Sequence, residues 1–218
     1  KARKGDRQPM PKLKPETEHA RRQNILDAAQ RCFARRGFHA TSMQDICKEA
    51  LVSPGALYVY FDSKEALIAG LCERDRAELT ERLDGLCQAP DFLAALNAIG
   101  ESYFVDDPAS KQRVVVEMGL ESTRNARVAD IFLGTDRFCA EAFKAMFQRL
   151  KDEGRINPTL DIEMLTKVFV VIGDGLFWRR AVMPDYDVRE VLPVLTSMIG
   201  TLVRPVESEG GTLEETHS

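Results

Sequence analysis

Between Thr41 and Leu67 the chain reads TSMQDICKEALVSPGALYVYFDSKEAL, and two helix starts lie so close together there that the helices they open cannot run antiparallel. Thr41 is an N-cap candidate with Gln44 three residues on, the spacing of a capping box. Met43, Ile46, Cys47 and Ala50 then recur at the spacing of one apolar helix face. Ser53 before Pro54 opens a second helix, because the serine oxygen takes an orphan N–H and a proline at the first helical position sacrifices no hydrogen bond. Leu57 and Phe61, four apart, give that helix its inward side and leave Gly55, Ala56, Tyr58 and Val59 on the outward and flanking sides. Two short helices around a tight turn, the second with an uncommitted face, have the shape that enters a DNA major groove.

Lys64 stands out in this stretch. Ser63 caps a third helix, and a cation in its first turn opposes the positive end of the helix dipole. A phosphate bound by the helix N-terminus and the lysine would offset it; the plainer alternative is a solvated lysine costing about a few tenths of a kcal/mol. The charge distribution favours a polyanion here. Residues 1–64 hold 13 Lys plus Arg against 7 Asp plus Glu, while residues 65–218 hold 17 against 27, so the overall charge of −4 conceals a basic segment followed by an acidic one.

Composition narrows the remaining classes. With 218 residues the chain is long enough for a substantial core. No apolar run approaches the ~18 residues of a membrane span, and no secretory core opens the chain, which implies a cytoplasmic protein without membrane contact. Cys32, Cys47, Cys72, Cys87 and Cys139 lack CxxC spacing and are odd in number, arguing against a disulfide framework or structural zinc and for small core residues, with a redox pair as the alternative. His19, His39 and His217 lie far apart. No metal site, cofactor loop or nucleophile–base pairing is visible, so neither enzyme nor cofactor is expected.

The rest reads as helix throughout. Residues 1–15 form a basic arm expected to be disordered, either reaching DNA or merely solubilising the chain. From Glu16 a supporting helix carries Ile25, Ala28, Ala29, Cys32 and Phe33 on one stripe and ends at Gly37 in a left-handed cap, with Phe38 folding back. Helices are expected over 65–87, 91–105, 110–122, 126–152, 161–183 and 188–203, with Pro184 in the last turn and a disordered acidic tail over 206–218. This gives a DNA-binding domain over 16–64 and a larger helical domain over 65–205.

The segment from Gly37 to Leu67 resembles the DNA-binding domain of TetR/AcrR-type transcriptional regulators. The resemblance rests on Gly37-Phe38, Thr41-Ser42 before Asp45-Ile46, Val52-Ser53 in the turn, Gly55-Ala56-Leu57-Tyr58, Tyr60-Phe61 and Ser63-Lys64-Glu65. Leu51 departs from it, standing where the family usually has glycine, and a leucine at positive φ is strained by about 1 kcal/mol or more. Val59 departs too, offering an apolar contact such as a thymine methyl would accept. The resemblance implies an all-α homodimer that grips a palindromic double-stranded operator through Thr41, Ser42, Gln44, Ser53, Pro54, Gly55, Ala56, Tyr58, Val59, Tyr60 and Lys64. It also implies a small-molecule effector bound in the C-terminal domain.

For the dimer surface the last two helices offer Phe169, Ile172, Gly173, Leu176, Leu192, Leu195, Met198, Ile199 and Leu202, more apolar surface than one protomer is expected to bury. For the pocket, Phe104, Met118, Phe132, Phe138, Phe143, Phe147, Phe177 and Trp178 suit an aromatic or lipophilic effector. A cationic ligand would need a carboxylate, and Glu117, Glu121 and Asp174 stand near this set in sequence, although a solvated face is the commoner role. These readings converge on an effector-released repressor. An effector-independent activator or architectural DNA-binding protein shares every N-terminal feature and is the alternative.

Overall fold

The computed structural model describes residues 15–183 and 185–206. The expected basic arm and acidic tail, and Pro184, lie outside the described residues apart from Pro15 and Val206. Among the described residues the fold is all-helical: α1 (Pro15–Ala40), α2 (Met43–Ala50), α3 (Pro54–Tyr58), α4 (Lys64–Gln88), α5 (Phe92–Glu101), α6 (Ala109–Ser122), α7 (Ala126–Asp152), α8 (Ile162–Val182) and α9 (Val188–Val203). None of these helices is long and apolar enough to cross a membrane.

Two cores meet along α4. Its first half, with Leu67, Ile68 and Leu71, packs against the apolar stripe of α1, Leu57 and Phe61, and against Val114 and Met118 of α6. Its second half, with Leu79, Leu83 and Leu86, packs on α5, α7, α8 and α9 around Phe147 and Leu165. Each fully buried leucine or phenylalanine contributes about 2 kcal/mol of transfer free energy, so α4 is fixed at both ends by burial and not by its own propensity.

Three local features differ from the sequence expectation. Ser42, not Thr41, caps α2: its hydroxyl accepts the Asp45 N–H at 3.2 Å, and the Asp45 carboxylate accepts the Ser42 N–H at 3.0 Å. Thr41 is instead buried, its hydroxyl donating towards the carbonyls of Gly37 (2.8 Å) and Cys32 (3.2 Å) at the end of α1. Gly37 has φ 77° and ψ 170°, a positive φ with an extended ψ and not a left-handed cap, and the chain re-enters a helical turn to Ala40. Finally, α5 gives way to a π-helical turn, Ser102–Asp106, closed by the Asp107 N–H on the Ser102 carbonyl at 3.0 Å. Such turns recur at functional sites, and this one presents Tyr103 and Phe104 to the interior.

Candidate nucleic-acid interface and effector cavity

The α2–α3 unit is held by its inner residues. Ile46, Ala50, Leu57 and Phe61 are buried, and Ser53 caps α3 by accepting the Ala56 N–H at 3.2 Å. Leu51 keeps the left-handed turn conformation despite its side chain, at φ 56° and 92% exposed. Ser42, Gln44, Ser53, Pro54, Gly55, Tyr58 and Val59 are exposed. Ala56 is half-buried, Tyr60 packs against the core, and Thr41 is buried. Much of the positive charge of α1 is already paired. Arg31 and Arg35 bind Glu49 at 2.8 and 3.0 Å, and Arg36 binds Asp45 at 3.0 Å, so these arginines fasten α1 to α2. Hydrogen bonds from Ser42, and secondarily Arg36, hold the Asp45 carboxyl down at about 2.

Lys64 meets a carbonyl in this structure. Its ammonium donates to the Phe38 carbonyl and lies 4.2 Å from the centre of the Phe38 ring. Burial lowers its pKa, with the neighbouring Glu65 and Glu121 acting in the opposite direction. From the other side the Phe38 N–H donates to Glu117 Oε1 at 2.7 Å. Beside it His39 Nε2 lies 2.8 Å from the buried Glu121 carboxylate, which also takes Arg124 at 3.0 Å. Glu117 and Glu121 therefore face α1, not an effector. Phe38 joins the end of α1 to the starts of α4 and to α6, a role invisible to periodicity because it is made by backbone groups.

Behind this junction lies a cavity of about 240 Å³ between α4, α5, α6, α7, α8 and α9. Phe104, Met118, Phe132, Phe143, Asp174 and Phe177 line it. The other three expected pocket residues do not. Phe147 is fully buried in the core, Phe138 is turned outward beneath Arg76, and Trp178 is 57% exposed on the opposite face of α8 from the cavity wall. Sequence reading missed the α4 contribution, Cys72, Asp75, Leu79, Leu83 and Leu86, because those residues also make the stripe that packs the helix.

The expected dimer set turns inward as well. Phe169, Ile172, Gly173, Leu176, Leu192, Leu195 and Ile199 are on the cavity wall, and Leu202 packs into the core; Met198 alone of the nine is exposed. The exposed apolar face of α8 is a second stripe: Met164, Val171, Trp178 and Val182, with Gly175 open beside it. Val194 and Met198 continue it on α9. The spacing 164, 171, 175, 178, 182 was readable as helical, but α8 is apolar on both sides and periodicity does not rank the two stripes.

Four cysteines are buried and Cys139 is half-buried, all as free thiols. Burial raises the Cys72 thiol and pushes Cys139 up to about 11, which suppresses thiolate chemistry in the cavity wall. Among the described residues no His, Cys, Asp or Glu cluster is arranged to hold a metal ion.

Comparison with known proteins accounts for both halves of this arrangement. Residues 25–71 match the family described as bacterial regulatory proteins, tetR family, and residues 93–204 match the C-terminal family described as BetI-type transcriptional repressor. The HTH-type transcriptional regulator UidR of Escherichia coli (strain K12) is 29% identical over 159 residues, 71% of this chain and 79% of that protein. The structure of Salmonella enterica GusR, 27% identical, superposes with a TM-score of 0.70 over 85% of this chain and 96% of that one. The fold is shared by FadR from Bacillus subtilis in complex with stearoyl-CoA, at TM-score 0.66 and 18% identity over 81% of this chain and 96% of that one.

Proposed function

Because this chain belongs to the tetR family of bacterial regulatory proteins, DNA-binding transcriptional regulators and not enzymes, we propose that it is a repressor released from its operator by a small lipophilic effector. The observation that carries this reading is on α6. Met118 lines the cavity while its neighbour Glu117 holds the Phe38 N–H, so a ligand that displaces Met118 acts on the helix that anchors the DNA-binding unit. α4 runs the same way, from Leu79 and Leu83 in the cavity wall to Lys64 on the Phe38 carbonyl. That FadR holds stearoyl-CoA in a similar fold adds weight to a ligand in this one.

The DNA surface of each protomer is the outer side of α3 with the start of α2: Tyr58 and Val59 against base edges, Ser42, Gln44, Ser53 and Gly55 against the backbone. Lys64, at the start of α4, supplies a phosphate contact. One such helix reads a few base pairs, so a specific site takes two copies whose α3 helices lie about 34 Å apart on a palindrome. The dimer is made by the outer stripe of α8 and α9 through Val171, Gly175, Trp178, Val194 and Met198. An effector releases DNA only by binding the non-operator conformation better; coupling of about 1–3 kcal/mol gives about 5–150-fold weaker operator binding. Footprinting on genomic fragments, followed by a lipophile screen on the recovered site, tests the reading. A symmetric footprint dissolved by a compound supports it; an asymmetric footprint that no lipophile affects contradicts it.

A further inference from the structure

Building on the effector reading above, we propose that the cavity selects cationic amphiphiles: ligands with an aromatic or aliphatic body and a positive charge. Its lining contains three carboxylates, Asp75, Asp136 and Asp174, and no lysine, arginine or histidine. An anion entering this apolar space would lose its hydration and meet carboxylates on the lining itself, the nearest cations standing behind Thr135 and Tyr103, whereas a cation finds its counter-charge on the wall.

The carboxylates stand at two depths. Asp75, on α4, has a buried Oδ1 without a hydrogen-bond partner, and the nearest cation, Lys111 Nζ, is 3.7 Å away. That lysine is shared with Glu78 and with Asp107 (3.1 Å), and Asp107 also takes Arg82 at 3.5 Å. Within ion-pair distance, three carboxylates thus face two cations. Arg74 acts on Asp75 only through its charge, since its ion pair is with Asp27 on α1, at 2.6 Å.

At the mouth, Asp136 of α7 and Asp174 of α8 are exposed and form no ion pair among the described residues. Partial desolvation by the cavity wall raises the Asp174 carboxyl although its side chain reaches solvent, and the Asp136 charge raises it further, as expected of two carboxylates near one opening. The neighbouring guanidinium, Arg76, is held behind the wall: it donates to the hydroxyl of the lining residue Thr135 at 2.9 Å and lies over the Phe138 ring, and it forms no ion pair with Asp136 or Asp174. Inside, Phe104 and Phe177 meet edge-to-face at 5.1 Å, and Phe143 and Phe169 at 4.8 Å, which offers ring faces to an aromatic body or to a cation.

Three probes with one body isolate the charge: 1-naphthylmethylammonium, 1-naphthylmethanol and 1-naphthaleneacetate, titrated into the full chain by calorimetry at neutral pH and physiological ionic strength. The ammonium is expected to bind about tenfold tighter than the alcohol, with the acetate weakest. In the Asp136→Asn, Asp174→Asn double variant the ammonium advantage falls to about twofold while the alcohol binds unchanged, which certifies an intact cavity. Acetate binding as tightly as ammonium, absence of ammonium binding, or an undiminished preference in the double variant overturns the proposal. Operator release is followed in parallel. Selective ammonium binding without release would refute the effector reading and leave the charge selection standing, and release by the acetate would do the reverse.

Discussion

Glu117 on α6 accepts the backbone N–H of Phe38 at the end of α1, at 2.7 Å, and thereby ties the cavity helix to the DNA-binding unit. Its oxygen lies 2.8 Å from where a Cβ on Gly37 would stand, closer than a real Cβ tolerates. Glu117→Ala leaves a part-buried N–H unpaired and is expected to lower stability by about 1–3 kcal/mol. Gly37→Ala adds strain at φ 77° to the same clash and should also destabilise the chain, whereas Gly55→Ala, at an open position, should not. Urea unfolding of the three variants decides this; equal stabilities would mean the contact carries no energy.

The Ser42–Asp45 capping box gives an acid-side signature. Asp45 is held at about 2 against an ordinary 3.8, so its contribution is present above the unfolded value and lost as pH falls from about 4 towards 2. Ser42→Ala removes the cap at a cost of about 1 kcal/mol at neutral pH. The gap in melting temperature between the variant and the wild type should narrow through that window. A gap constant with pH would contradict the assignment.

Val171→Glu places a charge in the middle of the exposed stripe of α8 and should convert a dimer to monomers, measured by light scattering, with operator affinity reduced at least about tenfold because the two half-sites are no longer bound together. Trp178, the chain's single tryptophan, shares that face. Its emission should shift to the red on dilution of the wild type. Ile172→Glu, on the cavity wall, should impair folding instead; the opposite pattern would return the dimer surface to the inner stripe.

Lys64→Ala should weaken binding to specific and random DNA alike, because a phosphate contact carries no base information, while Tyr58→Ala should weaken the specific site more and narrow the difference between the two. Competition titrations separate these outcomes. Loss of specificity in Lys64→Ala would indicate that its hold on the Phe38 carbonyl, and not a phosphate, is what matters.

The helical architecture and the α2–α3 unit were legible because caps, prolines and apolar spacing are local signals: Ser53-Pro54 opens α3 as expected, and Leu57 and Phe61 turn inward. Thr41 misled because two adjacent hydroxyls, Thr41 and Ser42, both suit a cap, and only packing against Gly37 and Cys32 decides which is buried. In α8 the pattern was apolar on two sides, so the inner stripe, Phe169 to Leu176, was read as the outer one. Glu117 and Glu121 were invisible as anchors since their partners, Phe38 and His39, are 79 and 82 positions away. Long-range pairing of that kind leaves no periodic trace.

Cavity and operator are two ends of one equilibrium, and linkage between them can be measured from either end. The tightest-binding of the three naphthalene probes is titrated against the free chain and against the chain saturated with operator DNA, and operator affinity is measured with and without that probe. Thermodynamic reciprocity requires the same factor in both directions, expected at about 5–150-fold. Equal factors in that range, both reduced in Glu117→Ala, are the predicted result. A probe that binds the cavity with one affinity on and off DNA would mean that cavity and operator are uncoupled.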